Sequence, residues 1–211
     1  MFPADRAASL GFSGLFRDPR VLDSHQSFAA AGFKAVANKD DILVGGHPSV
    51  EGYLFKRYLG MSEKTQMANY ENRIEGSRQL RRCVEEFQLR NVVVPQKWIY
   101  ALPKGHVLVT ERVELMDKRK VKGAYGAISA NVLRDLCVVL FHFRGLDAGA
   151  RNIPLTTDSK VAFIDTEHWN GHHKVYLRRL YKYLSNDSNR IAKETFEELS
   201  LKYGEPNKRE K

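Results

Sequence analysis

The chain has 211 residues, of which 43% are hydrophobic and 28% are charged, a balance typical of a globular protein with one sizeable core or two small lobes. The formal net charge of +9 favours anionic partners such as nucleotides, nucleic acid, acidic proteins or an anionic membrane face, and it does not distinguish among them. The basic residues concentrate in four segments, Arg78 to Arg82, Lys118 to Lys122, Arg178 to Lys182 and Lys208 to Lys211.

Cysteine content and hydropathy exclude several classes of protein. Cys83 and Cys137 both fall in stretches with helical periodicity, so the sequence indicates neither a disulfide framework nor a zinc site built on cysteine. The chain also lacks the uninterrupted apolar run of a signal peptide and the roughly 20 apolar residues of a membrane span. We therefore expect a cytoplasmic protein in a reducing compartment, with peripheral membrane association left open.

The first part of the chain is predicted to be rich in strands. Residues 1–32 carry Gly, Pro and Ser without sustained periodicity, which predicts an N-terminal arm that is either loosely held or wrapped over the domain. Two extended stretches between Phe33 and Tyr58 flank the breaker Gly45-Gly46-His47-Pro48. The second, Glu51 to Leu59, alternates apolar and polar side chains and predicts a strand with Lys56 on one face.

A long helix is predicted over Gln66 to Leu89, because apolar residues recur there at three- and four-residue spacing. Glu71 lies at the border of the apolar stripe, and Arg73 belongs to its polar flank. Two short strands, Trp98 to Leu102 and His106 to Thr110, follow, and the turn residues between them predict a hairpin.

The second half of the chain is predicted to be mainly helical. One continuous apolar stripe predicts a single buried helix over 125–143, and Val161 to Asp165 has the composition of a short buried strand. Two amphipathic helices follow, Lys174 to Leu184 and Asn189 to Tyr203, and the Ser and Asn residues between them offer N-caps.

The strongest chemical signal is an acid and an amide five residues apart, Asp147 and Asn152, followed by a second acid, Asp165, at the end of the predicted strand. Phosphoryl transfer needs one carboxylate to orient the attacking hydroxyl and accept its proton, and an Asn with another carboxylate to hold Mg²⁺ on the phosphates. Asp147 fits the first role, and Asn152 and Asp165 fit the second. An Asp in a Gly-rich loop is often only a turn former, but the strand-terminal acid that follows favours a metal and phosphate site.

This D-x-x-x-x-N loop with its strand-terminal Asp resembles the catalytic and metal-binding loops of the protein-kinase-like superfamily. The Ile-Asp-Thr-Glu form is more similar to the aminoglycoside and choline kinase branch, or to the lipopolysaccharide-kinase branch, than to the Asp-Phe-Gly of ordinary protein kinases. The resemblance implies an α+β, two-lobed fold, with a small antiparallel β-rich N-lobe and a reduced helical C-lobe. We expect four segments: an arm over 1–32, the N-lobe over 33–115, the C-lobe over 116–204 and a basic tail over 205–211.

The resemblance also implies roles for residues in the N-lobe. Lys56 matches the third-strand lysine that contacts the phosphates, and Glu71 matches its ion-pair partner on the C helix, with Glu75 as the alternative. The segment Val109 to Leu115 resembles the fifth strand and the hinge. There Thr110 takes the gatekeeper position, and backbone groups near Glu111 and Val113 would bond the adenine edge.

Some parts of the superfamily pattern are missing. Gly145 stands where a His usually precedes the catalytic Asp, and no G-x-G-x-x-G loop precedes Lys56. Gly45-Gly46 is a candidate for a shortened version of that loop, and the alternative is that the phosphates are covered differently. No Ala-Pro-Glu motif follows Asp165, which disfavours the substrate mode of a conventional protein kinase.

These features predict a phosphotransferase that uses ATP and Mg²⁺ to phosphorylate a hydroxyl acceptor, and the alternative is a pseudokinase that binds nucleotides or proteins. The acceptor is left open among a small molecule, a lipid-linked sugar and a protein. The net charge is compatible with an anionic partner or a membrane surface, whereas the lack of an RNA- or DNA-binding motif disfavours nucleic acid. His168, His172 and His173 fit no standard zinc spacing.

Overall fold

The computed structural model describes residues 1–143, 145–146, 149–150, 152–167, 169–170 and 176–204. The chain divides into two compact units. Unit 1 comprises Met1–Ile74 and Gln96–Arg112, and unit 2 comprises Glu75–Pro95 and Val113–Lys211.

Eight α-helices and seven strands are formed by the described residues. In chain order they are α1 (Ala4–Ser9), α2 (Phe12–Leu15), α3 (His25–Ala30), β1 (Lys34–Lys39), β2 (Ile42–Gly46), β3 (Tyr53–Tyr58), α4 (Glu63–Glu86), β4 (Val92–Val93), β5 (Lys97–Ala101), β6 (His106–Glu111), α5 (Val121–Gly126), α6 (Ala130–His142), β7 (Val161–Ala162), α7 (Tyr176–Tyr181) and α8 (Asn186–Tyr203). No helix in the described part of the chain is both long enough and apolar enough to cross a membrane.

Unit 1 is built on a five-stranded sheet in the order β1-β2-β3-β6-β5, in which every neighbouring pair is antiparallel. The alternating pattern of β3 divides its side chains between the two faces of the sheet. Tyr53 and Phe55 pack into a cluster that includes Phe12 and Phe16 from the N-terminal segment. Tyr58 packs into a second cluster with Tyr70 of α4. The sheet is therefore covered by the N-terminal helices on one face and by α4 on the other.

The N-terminal segment is part of the core of unit 1. Phe2, Phe12 and Phe28 are at most 5% exposed, and the backbone N–H of Phe2 donates a hydrogen bond to the carbonyl of Ile99 at 2.7 Å. Aromatic side chains of this size contribute more buried area than any others, so they hold the segment against the sheet. Of the two arrangements expected for these residues, the packing corresponds to a wrap over the domain.

Two details of unit 1 differ from the sequence-based expectation. The extended stretch before the predicted breaker is itself a hairpin, which reverses between Lys39 and Ile42. Of the breaker, Gly45-Gly46 forms the end of β2, and the chain leaves the sheet only at His47-Pro48 before it returns antiparallel as β3. The reason is contact: a Cβ at Gly45 would lie 2.6 Å from the carbonyl oxygen of Lys34 and 2.7 Å from the Phe28 ring. The glycine is thus required by close packing within a strand and not by a turn.

Arg73 is the second difference, because it is buried and not on a polar flank. Its Nε donates a hydrogen bond to the Tyr58 hydroxyl oxygen at 2.9 Å. A buried guanidinium needs hydrogen-bond partners to offset the loss of water. Helical periodicity treats every Arg as polar and therefore does not predict a buried Arg with such partners.

Unit 2 has a helical core in which α6 and α8 pack together. β4 and β7 form a short parallel pair beside it, with Val92 opposite Val161. The backbone N–H and the side-chain Nδ2 of Asn91 both donate to Oδ2 of Asp135 on α6, each at 2.9 Å. These bonds fix the strand pair to the helical core.

The predicted single helix over 125–143 is in fact two helices, α5 and α6. The interruption has a local cause, since the Ser129 side chain accepts a hydrogen bond from the N–H of Val132 and so begins α6 as an N-cap. Both helices bury apolar residues in the same core, among them Tyr125 and Leu136. The apolar stripe therefore continues across a break in the backbone, which periodicity alone does not reveal.

Candidate functional site

A tight hairpin in unit 2 connects the two predicted metal ligands. Leu155 and Val161 form an antiparallel bridge, and the N–H of Ala162 donates to the carbonyl of Pro154 at 2.9 Å. Asn152 precedes this paired segment and Asp165 follows it. In an antiparallel hairpin the two ends that lie away from the turn emerge on the same side. The register therefore brings Asn152 and Asp165 to the same end of the hairpin.

The turn of the hairpin, Thr156 to Lys160, is fixed by side-chain hydrogen bonds. The buried Thr156 hydroxyl donates to Oδ1 of Asp158 at 2.6 Å and accepts from the backbone N–H of Lys160 at 2.9 Å. Lys160 Nζ lies 2.8 Å from Oδ2 of Asp158. Hydrogen bonds from the Lys160 and Thr156 side chains lower the pKa of Asp158, so this carboxylate is charged at neutral pH and belongs to the turn.

The loop that carries Asn152 is anchored on both sides by buried residues. The N–H groups of Asn152 and Ile153 both donate to the carbonyl of Gly149, at 2.8 and 3.0 Å. Leu146 and Ile153 are each 1% exposed. The buried Tyr125 hydroxyl donates to the Ile153 carbonyl, and burial raises the pKa of this phenol far above its ordinary value. Asn152, whose side chain is half-buried, thus stands on a fixed backbone.

Asp165 follows β7 in a segment that is also held on the core. The N–H of Phe163 donates to the carbonyl of Val93 at 2.9 Å, which continues the parallel pairing one residue beyond β7. The Asp165 carboxylate is half-buried, and its Oδ1 lies 3.5 Å from the backbone N–H of Glu167. Thr166 is fully buried. These contacts fix the backbone on both sides of the candidate metal ligand.

Gly76 of α4 is a positioning residue that helical periodicity does not single out. A Cβ at this position would lie 2.1 Å from the carbonyl oxygen of Thr166 and 2.7 Å from Cδ1 of Trp169. Helix α4 therefore touches the backbone of the segment that carries Asp165, and only a glycine permits that approach. A glycine in the middle of a long helix, where it costs about 1 kcal/mol relative to Ala, was the signal available in the sequence.

Several predicted functional residues cannot be placed. Asp147, the predicted catalytic residue, lies outside the described residues, as do His168, His172 and His173. Among the residues that are described, no group of three or more His, Cys, Asp or Glu is arranged to hold a metal ion. The two candidate metal ligands, Asn152 and Asp165, are an amide and a carboxylate, oxygen donors of the kind that suit Mg²⁺.

Lys56 lies in the third strand of the unit 1 sheet. It is aligned with Val44 on β2 and with Leu108 on β6, and Leu108 belongs to the cluster that packs against α4. The side chain is half-buried, with Nζ 5.1 Å from the centroid of the Tyr58 ring, a cation–π distance. Lys56 is therefore on the α4 face of the sheet.

The two acidic candidates on α4 have different surroundings. Glu71 is exposed, and Glu75 is half-buried. The Glu75 carboxylate forms an ion pair with Arg78 and accepts a hydrogen bond from Nε2 of Gln79 at 2.6 Å. Glu75 is thus engaged by residues one turn later on its own helix, in a manner typical of helical i,i+3 and i,i+4 pairs.

The predicted hinge begins at the end of β6. Thr110 and Glu111 are the last two residues of that strand, and Val113 begins the second segment of unit 2. The Glu111 carboxylate accepts a hydrogen bond from the N–H of Gln96 at 2.9 Å, and its own N–H donates to the Gln96 carbonyl at 3.0 Å. The side chain and the N–H of Glu111 are therefore committed to unit 1, so an adenine edge would need its carbonyl or the groups of Val113.

The turn between β1 and β2 is the first turn of the sheet and precedes the strand that carries Lys56. It contains Asp40 and Asp41, both exposed, and no glycine. One contact from outside the hairpin is a hydrogen bond of 2.9 Å between the His25 ring and the Lys39 carbonyl. Since Gly45-Gly46 lies within β2, it is not a shortened phosphate loop, and the phosphates would have to be covered differently.

Comparison with solved structures yields protein kinases. A structure of vaccinia related kinase 3 matches 65% of this chain with 12% sequence identity and a TM-score of 0.40, and the MAP kinase LmaMPK10 from Leishmania major matches 87% with 14% identity and a TM-score of 0.36. The chain spans 46% of the first kinase and 61% of the second. No protein-family model and no curated protein matches the sequence.

The described residues form the predicted α+β architecture. Unit 1 has the antiparallel sheet and, after its third strand, the first half of helix α4, and unit 2 is mainly helical with the short hairpin before Asp165. The protein-kinase-like assignment of this architecture stays a prediction. The roles of the individual site residues stay predictions.

Proposed function

We propose that this chain binds Mg·ATP and transfers the γ-phosphoryl group to a hydroxyl acceptor. The observation that carries the proposal is the hairpin of unit 2, whose register brings Asn152 and Asp165 to one end on anchored backbone. An amide oxygen and a carboxylate at one end of an anchored hairpin are donors that would together hold Mg²⁺ with a nucleotide. Fixing the ligands in advance lowers the cost of binding the metal.

In this proposal each residue has a separate task. Asn152 and Asp165 would hold Mg²⁺, which would supply positive charge beside the phosphates. Asp147 orients the acceptor hydroxyl and accepts its proton, and Lys56, with Glu71 as its partner, positions the phosphates. Thr110 and the backbone near Glu111 and Val113 would receive the adenine. The acceptor is a small alcohol or amino-sugar, a lipid-linked sugar or a protein side chain.

The second candidate is a pseudokinase that binds nucleotides or proteins without turnover. A specific observation favours it: the β1–β2 turn has two exposed aspartates and no glycine, so it offers repulsion where a cradle of backbone N–H groups would be expected. Gly145 stands two residues before Asp147, where a His is usual in the superfamily, and this departure also favours a pseudokinase. Nucleotide binding without phosphoryl transfer would support this candidate over the enzyme.

Thermal unfolding with ATP in the presence and absence of Mg²⁺ tests the metal site. At a ligand concentration 100 times Kd, binding stabilises the folded state by about 2.7 kcal/mol, which raises the Tm of a chain of this length by roughly 5–10 °C. We expect Asp165→Asn to abolish the Mg²⁺-dependent part of this increase, because a neutral amide of equal size binds the metal far more weakly. Glu198→Gln, an exposed change on α8, is the matched control and should leave the shift intact.

Two further results separate the alternatives. Asp147→Asn should retain Mg²⁺-dependent binding and remove ATP turnover, since its proposed role is with the acceptor and not the metal. Unchanged turnover in Asp147→Asn would contradict its assignment. An Mg²⁺-dependent shift of equal size in Asp165→Asn and the wild-type protein would contradict the proposal as a whole.

A further inference from the structure

The fold brings two separate basic segments of unit 2 together at one tyrosine. Nζ of Lys122, on α5, lies 5.8 Å from the centroid of the Tyr183 ring, and Nζ of Lys182 lies 4.9 Å from it. The backbone agrees with this contact, since a Cβ at Gly126 would be 3.6 Å from the Tyr183 carbonyl oxygen. Residues about 60 positions apart in the sequence thus lie on one surface. The positions of the basic segments in the sequence do not show this contact.

Four lysines in or next to these segments form no close ion pair with the residues that the structure describes. Lys118 and Lys120, in the turn before α5, are exposed, as are Lys122 and Lys182. The nearby carboxylate of Asp117 is paired with Arg119 and also interacts electrostatically with Lys120. Other basic residues of unit 2 differ, because Lys160 is paired with Asp158 and Arg190 with Glu194. We call the four lysines together with Tyr183 the cationic surface.

We propose that the cationic surface binds an anionic phospholipid membrane. Lys122 and Lys182 meet at Tyr183, and Lys118 and Lys120 lie in the turn that leads into α5. Exposed ammonium groups of this kind attract a layer of acidic headgroups, each contributing in proportion to its proximity. Ammonium groups act as point charges without the planar fork of arginine, so they suit a fluid array of phosphates better than one fixed bidentate ligand. Tyr183 adds an amphipathic ring of the kind enriched where proteins meet the membrane interface.

Nucleic acid is the competing polyanion, and the geometry of Tyr183 disfavours it. Proteins that bind single strands combine basic grooves with aromatic rings on which bases stack. The Tyr183 ring already has two ammonium groups of its own chain within cation–π distance and is half-buried. A ring that is occupied in this way is a poor stacking platform, whereas electrostatic attraction to headgroups needs no open ring.

Vesicle co-sedimentation of the full chain tests the proposal. The probes are vesicles of phosphatidylcholine alone and of phosphatidylcholine with about 30 mol% phosphatidylserine, a composition chosen to provide about one acidic headgroup in three. The wild-type protein should bind only the acidic vesicles, and binding should weaken as salt is raised. The variant Lys118→Gln/Lys120→Gln/Lys122→Gln/Lys182→Gln should partition up to about 1,000-fold more weakly, because each lysine near a membrane contributes about 1 kcal/mol.

A charge-matched control separates the surface from the net charge. Lys64→Gln/Lys104→Gln/Lys193→Gln/Lys202→Gln removes four charges from scattered exposed lysines and should retain most of the binding. Equal loss in the two variants, or no binding of the wild-type protein to acidic vesicles, would overturn the proposal. Binding of the wild-type protein to a single-stranded RNA oligonucleotide instead of vesicles would also overturn it. Circular dichroism of both variants shows whether they are folded, and single Lys122→Gln and Lys182→Gln variants replace the quadruple variant if it is not.

Discussion

Two short antiparallel turns, one in each unit, carry acidic residues that the proposed function concerns, and the two turns are held very differently. The hairpin of unit 2 has a buried threonine at its turn and continues into the fully buried residues Val161 and Phe163 before reaching Asp165. The β1–β2 turn of unit 1 is exposed at Lys39, Asp40 and Asp41. The protein therefore fixes the candidate metal ligands and leaves the segment that would cover the phosphates in solvent.

This difference suggests which part of the proposed chemistry is most firmly built into the fold. A metal ligand must be held to within a fraction of an ångström, whereas a loop that covers phosphates can act through its backbone and still move. In this chain buried residues anchor the backbone around Asn152 and Asp165, and the β1–β2 turn contains no glycine. Within the proposed function, Mg·ATP binding therefore has more support than efficient phosphoryl transfer.

The largest effect is expected from Gly76→Ala, which tests whether contact with helix α4 holds the backbone next to Asp165. The new methyl group would meet the Thr166 carbonyl at 2.1 Å, a backbone atom that cannot turn aside. We expect a loss of about 2–3 kcal/mol in the free energy of unfolding, typical of overpacking, together with loss of Mg²⁺-dependent nucleotide binding. Urea denaturation and thermal shift with Mg·ATP measure the two effects.

Gly123→Ala is the control for this change. Gly123 lies in helix α5, and a Cβ at this position would meet no atom of a neighbouring segment within 4 Å. The same substitution should therefore be neutral or stabilise the helix by up to about 1 kcal/mol. If Gly76→Ala were as stable as Gly123→Ala, helix α4 would not restrain the Asp165 segment.

A smaller effect is expected from Tyr125→Phe, which removes the hydroxyl that donates to the Ile153 carbonyl. Leaving that buried carbonyl without its donor should cost about 1–2 kcal/mol of stability. Because Ile153 follows Asn152, we also expect weaker Mg·ATP binding, measured by titration calorimetry at a temperature where the variant is folded.

Tyr70→Phe provides the matched comparison for Tyr125→Phe. Its hydroxyl is also buried and donates to Oε1 of Gln66 at 3.2 Å, but in unit 1. This variant should lose similar stability while retaining Mg²⁺-dependent affinity. Equal loss of affinity in both tyrosine variants would show that the Asn152 loop has no special dependence on its anchor.

The smallest effect is expected at the exposed turn. Replacing Asp40 and Asp41 with Asn removes two negative charges, and it should increase nucleotide affinity about two- to fivefold at low salt, as expected for exposed charges. Asp23→Asn, an exposed acid elsewhere in unit 1, should have less effect. If nucleotide affinity fell instead, the two aspartates would contribute to binding. The β1–β2 turn would then support the proposed function and not oppose it.

Much of the fold could be predicted because its signals are local. The β5–β6 hairpin and the strand with Lys56 follow from alternation and turn residues, and helical spacing predicts a long helix over Gln66 to Leu89 that the structure has over Glu63–Glu86. The N-cap predicted between the last two helices is Ser185, whose side chain accepts from the N–H of Ser188 at 3.1 Å. Cys83 and Cys137 are free, as expected, and burial raises the pKa of each thiol to about 12, so both are unreactive core residues.

The candidate site was predictable only in part. The Asp147, Asn152 and Asp165 pattern is visible as spacing, but the anchoring of Asn152 by Tyr125 depends on contact between distant segments. Helical periodicity assigns Arg73 to a polar flank because its side chain is charged, whereas the hydroxyl of Tyr58 makes its burial tolerable.

The sequence by itself determined the order and type of most elements and the residue types suited to phosphates and magnesium. It did so because helical and strand periodicity, turn chemistry and donor chemistry are properties of neighbouring residues. Only the tertiary structure decided why Gly45 and Gly76 are glycines, where the second apolar stripe breaks and which lysines share a surface with Tyr183. Those outcomes depend on backbone and side-chain contacts between segments far apart in the chain, and periodicity carries no information about such contacts.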